Sequence, residues 1–306
     1  MDWSGVVPAV TTPFTPTLEL DGHFFVRHLK WFAANGIDAY VLLGSLGEGA
    51  TLAFSEKCQL LELARSTVPR TGRLIVAISS LRTSESVALA KRAAEIGCDG
   101  LMVLPPYVYR GDWDEIRAHV EAILHATDLP AMLYNNPTAY GTDFQTSHIE
   151  ELAASNPNLD AVKDSTGLPE RIAELAGRLG SRLQLLVGID EVVRPGVTAG
   201  AIGWVAGLAN AMPRESVDLF RACREGPAEE ARANFEWFLP LLRYDSEVKF
   251  VQRIKCVAES LGIGSSRVRA PRLELTVAER QETETVLRSV QARRPPSVSH
   301  STPFPA

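Results

Sequence analysis

The sequence predicts an α/β fold, a closed (β/α)8 TIM barrel followed by a helical C-terminal extension. Short apolar runs begin near residues 6, 38, 73, 100, 130, 159, 183 and 201, and stretches of helical length separate them. The runs are continuously apolar rather than alternating, as strands buried on both faces of a parallel sheet must be. One phrase also recurs: a helix end, a glycine stop, then an apolar strand. It reads Gly36-Ile-Asp followed by Ala39-Tyr-Val-Leu-Leu43, then Gly97-Cys-Asp99 followed by Gly100-Leu-Met-Val-Leu104, and more faintly Val197–Val205. Eight such units suit a closed barrel better than an open doubly wound sheet. No glycine-rich dinucleotide fingerprint follows the first strand.

In chain order, Val6–Val10 forms the first strand, and the proline of Thr11-Thr-Pro-Phe14 ends it. Asp21 caps a helix reaching about Asn35, with Phe25, Leu29 and Phe32 on its buried face. Further helices are expected near 55–68, 84–96, 112–126, 146–155, 168–179 and 190–199, placing the barrel in residues 1–212. Beyond it, 216–225, 228–244 and 246–261 read as successive helices with no strand between them, so 213–290 is expected to pack on the barrel. Residues 291–306, rich in Arg, Pro and Ser, read as a disordered, solvated tail that includes Arg293-Arg294.

Bulk properties narrow the function classes. The chain has 306 residues, 45% of them apolar and 22% charged, with a net charge of −6. That acidity argues against nucleic-acid or anionic-membrane partners. No segment has the apolar length of a membrane span, and the first residues carry no signal-peptide pattern. Cys58, Cys98, Cys223 and Cys256 lie far apart, without zinc-site spacing, and read as reduced thiols in a cytoplasmic protein. His23, His28, His119, His125 and His148 fall on predicted helices and His300 in the tail, where surface or packing roles are expected.

Chemistry in such a barrel gathers at the C-terminal ends of the strands. Leu159-Asp-Ala-Val-Lys163 puts a lysine at one such end, with Leu159, Ala161 and Lys163 expected on one face. A buried lysine either holds an ion-pair partner, for which Asp164 is a candidate, or serves as an amine nucleophile towards carbonyls. Other strand ends supply Gly44-Ser-Leu-Gly-Glu48, whose exposed amides suit a carboxylate, and Tyr134-Asn-Asn-Pro137, which presents a phenol. Lys163, Tyr134 and Ser45 are therefore the candidate catalytic residues: imine former, proton shuttle, and a hydroxyl that positions or relays those protons. Gly44, Leu46, Gly188, Tyr107 and Tyr109 are the candidate substrate-binding residues at these strand ends, to which the family resemblance below adds Ala139 and Trp204.

The same residues resemble the dihydrodipicolinate synthase/N-acetylneuraminate lyase family of class I aldolases and related lyases. The opening Gly5–Phe14 looks like the family's first strand. Gly44-Ser-Leu-Gly-Glu48 is similar to its Gly-[Ser/Thr]-Thr-Gly-Glu turn, Tyr134-Asn-Asn-Pro137 to Tyr-Asn-x-Pro, and Val162-Lys-Asp-Ser165 to Lys-[Glu/Asp]-[Ser/Ala]. Gly188-Ile-Asp190, Asn210 with Pro213, and Val268-Arg-Ala-Pro271 match later landmarks, so coverage runs from about residue 4 to 285. The resemblance implies a Schiff base on Lys163, proton transfer through Tyr134, and carboxylate binding by Ser45 and the backbone around Leu46. It further implies a small 2-oxo acid substrate, no metal or organic cofactor, and a homotetramer or homodimer.

Departures from the pattern bear on the substrate. The arginine that grips the second substrate in dihydrodipicolinate synthase corresponds to Ala139. The tyrosine that enzyme borrows from a neighbouring subunit corresponds to Val108, between Tyr107 and Tyr109. The turn's second hydroxyl has become Leu46, which is similar to hydroxy-pyrroline carboxylate deaminases of the family. Trp204, at the end of the eighth strand, is expected to reshape the pocket. These differences predict an activity other than dihydrodipicolinate synthesis: a dehydratase or deaminase acting on a 2-oxo acid or its cyclic imine. The alternatives are a pyruvate-dependent aldolase cleaving a 4-hydroxy-2-oxo acid and a non-catalytic oxo-acid-binding paralogue.

Overall fold

The computed structural model describes residues 1–305. Its strands are β1 (Gly5–Pro8), β2 (Ala39–Leu42), β3 (Arg73–Ile78), β4 (Gly100–Val103), β5 (Ala131–Asn135), β6 (Leu159–Asp164), β7 (Gln184–Val187) and β8 (Gly203–Ala206). They pair in parallel in the order β1-β8-β7-β6-β5-β4-β3-β2. The bridge between Ala9 and Val41, with the Val10 amide donating to the Val41 carbonyl at 2.8 Å, brings the two ends together. The outer helices are α1 (Gly22–Ala34), α2 (Phe54–Thr67), α3 (Thr83–Ile96), α4 (Trp113–Leu124), α6 (Thr146–Ser155), α7 (Pro169–Leu179), α8 (Val193–Thr198) and α9 (Pro213–Glu225). A one-turn helix, α5 (Pro137–Tyr140), lies between β5 and α6.

Strand periodicity divides the core in two. Val7, Val41, Ile75, Ala77, Met102, Met132, Tyr134, Ala161, Leu186 and Val205 fill the barrel interior, with Trp3 among them. Their strand neighbours, such as Val76, Val103, Val162 and Val187, face the helices. This division corrects two expectations. Trp204 follows the inward Gly203 position and precedes Val205, so it points outward into the helix layer, fully buried. Leu159 also belongs to the outer core, because Ala131 pairs with Leu159 but Met132 pairs with Ala161. The extra residue is a bulge that turns Leu159 away from the face of Ala161 and Lys163.

Local signals account for the helix ends. Asp21 caps α1 by accepting from the Phe24 amide at 2.9 Å, and Asp112 and Glu115 form a capping box on α4. Asn136 accepts from the Ala139 amide at 3.0 Å and Pro137 occupies the first position of α5, which makes that single turn.

α9 follows β8 and packs on β1 and α8, so it is the barrel's eighth outer helix. The boundary read at residue 212 therefore falls between β8 and its own helix. The extension is α10 (Ala228–Leu242), α11 (Phe250–Ser260) and α12 (Val277–Gln291). The last of these, absent from the sequence reading, is opened by a capping box between Thr276 and Glu279. Of residues 291–306, expected to be a disordered tail, Gln291 ends α12, Ala306 lies outside the described residues, and 292–305 run back across the barrel's outer face. Val298 is buried, the Trp31 indole donates to the Thr302 carbonyl at 2.6 Å, and Phe304 stacks on Phe24. Arg294 pairs with the buried Glu215 at 2.9 Å and covers Trp237, so it is not a solvated charge.

Candidate active site

A cavity of about 590 Å³ opens at the C-terminal ends of the strands. Gly44, Ser45, Leu46, Tyr134, Ala139, Lys163 and Gly188 line it, so seven of the ten candidate residues converge there. Three do not reach it. Trp204 faces the helix layer, Tyr109 projects into solvent, and Tyr107 lies behind the wall with its hydroxyl donating to the Ser79 carbonyl at 2.9 Å.

Lys163 sits near the end of β6 and is 6% exposed. Its Nζ lies 3.8 Å from the centroid of the Tyr134 ring, directly across the β5–β6 register. Among the described residues it has no hydrogen-bond or ion-pair partner. Asp164 is not that partner: its carboxylate accepts from Thr166 and from Asn135 Nδ2 at 3.1 Å. No hydrogen bond or ion pair among the described residues ties the amine back from the cavity, although its charge is felt by Asp245. Tyr134 Oη accepts from Asn136 Nδ2 at 3.0 Å, which fixes the phenol's direction at the mouth.

The turn after β2 is held under local strain. Leu43 and Glu48 both adopt left-handed backbone (φ 65° and 55°), a conformation costly for side chains with a Cβ. A Cβ on Gly49 would stand 2.0 Å from the Leu43 carbonyl oxygen, so only glycine closes the turn. Among the described residues the Ser45 and Leu46 amides have no acceptor, leaving two donors at the cavity wall for an anion. The Leu46 side chain is buried with Val251, Ile254 and Val268, so it joins the turn to the extension.

Some cavity residues lay outside the sequence reading. Tyr140, at the end of α5, hydrogen-bonds to Ser45 Oγ. Glu191, Asp245, Glu247 and Arg272 also line the cavity. Asp245 belongs to the segment between α10 and α11, so the extension supplies one wall. Burial pushes the Asp245 carboxyl up to about 6, against the pull of the Lys163 ammonium and the Asp190 amide. Asp190 is also raised, by burial and then by Asp245. Its carboxylate accepts from the Trp204 indole at 2.9 Å and from the Gly207 and Leu208 amides at 3.0 and 2.8 Å. Trp204 thus ties β8 to the end of β7 instead of shaping the pocket.

The sequence profile described as the dihydrodipicolinate synthetase family matches residues 2–290. The chain belongs to that family. It is therefore an enzyme of the lyase type, in a family of class I aldolases that work through Schiff bases. A 4-hydroxy-tetrahydrodipicolinate synthase of Sorangium cellulosum is 31% identical over 300 residues, covering 95% of this chain and 97% of the relative. One of Bartonella bacilliformis is 29% identical, covering 89% and 92%. The solved 4-hydroxy-tetrahydrodipicolinate synthase of Methylacidiphilum fumariolicum superposes with a TM-score of 0.91 at 28% identity, covering 95% and 97%. The dihydrodipicolinate synthase of Aquifex aeolicus superposes at 0.90 and 27%, covering 95% and 99%. Within the family's barrel, the cavity described above lies where such barrels carry their chemistry.

Proposed function

We propose that the chain is a Schiff-base-forming lyase acting on a small 2-oxo acid or its cyclic imine, as a dehydratase or deaminase. The observation that carries the reading is the unpartnered Lys163 amine against Tyr134, facing two unpaired amides across one cavity. Lys163 Nζ attacks C2, and the Ser45 and Leu46 amides hold the adjoining carboxylate. Tyr134 moves protons to and from the oxygen and C3. The imine then serves as the electron sink for loss of water or ammonia, and the reaction calls on no metal or organic cofactor. Ala139 leaves the rim without the arginine that would grip a second carboxylate, which supports an activity other than dihydrodipicolinate synthesis. Arg272 is drawn towards the buried Glu48, 3.9 Å away. We further propose that the enzyme works in the cytoplasm as a homo-oligomer.

Borohydride trapping with pyruvate and a panel of 2-oxo acids, read by intact mass and peptide mapping, tests the reading. An adduct on Lys163 is expected, together with release of ammonia or a dehydrated oxo acid from the best-trapped compound. Release of pyruvate would instead identify an aldolase. A folded protein with no adduct from any acid would leave only oxo-acid binding.

Gly188→Ala supplies a second test. The new Cβ would stand 2.1 Å from Ser165 Oγ and 2.7 Å from Lys163 Cε, so the lysine chain must move. Displacement by about an ångström costs on the order of 10²-fold in a positioned reaction. Trapping rates should fall by that factor while Lys163 remains the labelled residue. A wild-type trapping rate would place the reacting amine elsewhere.

A further inference from the structure

We propose that Tyr140 carries the proton behind Tyr134, so that Tyr134, Tyr140 and Ser45 form one relay of three hydroxyls supplied wholly by a single chain. The inference rests on the Schiff-base reading and adds a residue to it. α5 exists because Asn136 caps it and Pro137 starts it, and its one turn returns Tyr140 over the barrel mouth. There the Tyr140 hydroxyl bonds to Ser45 Oγ, and its ring stands edge-on to Tyr134 with centroids 5.6 Å apart. The Tyr107 ring also packs against Tyr140, with centroids 5.5 Å apart, but its own hydroxyl is committed to Ser79. It holds Tyr140 in place and stands outside the relay. Burial, and then the neighbouring Tyr134, raise the Tyr140 phenol above its ordinary range, while Ser45 partly opposes them. Tyr140 therefore stays an O–H group at neutral pH, able to accept from one hydroxyl while donating to another.

Lys163 Nζ bonds to C2, and the nitrogen passes one proton through Tyr134 to the carbonyl oxygen, giving a carbinolamine. Tyr134 then donates a proton to that hydroxyl, the C–O bond breaks, water leaves, and the nitrogen lone pair closes an iminium. Tyr134 is reprotonated by Tyr140, Tyr140 by Ser45, and Ser45 by a solvent water at the mouth. One proton enters, one water departs, and the positive charge rests on the iminium.

The test is the single-turnover rate of imine formation with pyruvate, in H2O and in D2O, for Tyr140→Phe, Ser45→Ala and the double variant. Borohydride end-point labelling is measured alongside. General acid–base catalysis contributes about 10²–10⁴-fold. Tyr140→Phe should therefore slow imine formation at least ~10²-fold while Lys163 is still labelled fully at long times. Each single variant should also change the solvent isotope effect. Two groups in series fail together, so the double variant should be no slower than the slower single variant. The inference is overturned if Tyr140→Phe forms imine at the wild-type rate, or if losses multiply in the double variant without any change in isotope effect. Absence of a Lys163 adduct in the wild type would overturn the Schiff-base reading itself, and the relay with it. Should Tyr140→Phe fold poorly, Ser45→Ala reads the same relay from its outer end.

Discussion

Lys163→Met should abolish turnover and borohydride trapping, a loss on the order of 10³-fold or more, while making the fold more stable. The loss follows from the proposed role of Lys163 as the group that forms the covalent bond. The gain follows from burial. Lys163 is 6% exposed and has no partner among the described residues, and its side chain crosses from the apolar barrel interior, beside Ala161, to the cavity. Methionine keeps that volume and removes a polar group with no hydrogen bond, which is worth about 1–3 kcal/mol. Urea denaturation should therefore move to a higher midpoint with an unchanged slope. The opposed signs separate a working amine from a structural one. A lysine kept for stability would cost stability when replaced, and that result would remove Lys163 from the chemistry. Sites that hold a reactive group in poor surroundings commonly show this trade.

The barrel was legible because each of its strands is buried on both faces, and burial of that kind writes an unbroken apolar run into the sequence. Lys163, Tyr134 and Ser45 were legible for the complementary reason: each is a polar residue at the end of such a run. Assigning faces was harder. Leu159 was misplaced because one bulge beside Asp160 inverts the count, and Trp204 because alternation along β8 sends its neighbour Val205, not Trp204 itself, into the barrel. Tyr140 and Asp245 were invisible for a different reason. One arrives from a single helical turn and the other from the extension, so only tertiary packing brings them to the cavity. The Asn136-Pro137 pair did mark that turn, as Thr276-x-x-Glu279 marked α12. The buried face of α12 is sparse, however: Leu287 and Val290 share it with Thr283, which accepts from Arg253. A helix anchored partly by an arginine carries little apolar signal.

The connection between extension and cavity yields the second large effect, centred on Lys255 of α11. Its Nζ donates to Glu48 Oε1 at 2.6 Å and to the Arg267 carbonyl at 2.7 Å, and lies 4.7 Å from the Phe14 ring centroid. Both partners are buried, Glu48 at 0% and Lys255 at 4% exposure. Burial pulls the Lys255 ammonium below its ordinary range, and Glu48 restores part of the shift. Glu48 also accepts from the Arg269 amide at 3.0 Å, and it holds its left-handed backbone at the foot of the turn that presents Ser45. Lys255→Ala leaves the buried Glu48 carboxylate with only the Arg269 amide and the more distant Arg272 guanidinium, 3.9 Å away, and breaking such a pair costs about 3–5 kcal/mol. The loss should appear twice: as a lower denaturation midpoint, and as a rise in the substrate concentration needed for trapping, because the unpaired turn no longer fixes its amides. Replacing both partners, as Glu48→Gln with Lys255→Met, should recover much of the stability, since no isolated charge remains. Binding should stay impaired in that double variant, because the turn has still lost its tie to α11. If the single variant lost stability while binding stayed at the wild-type level, the extension would serve the fold alone.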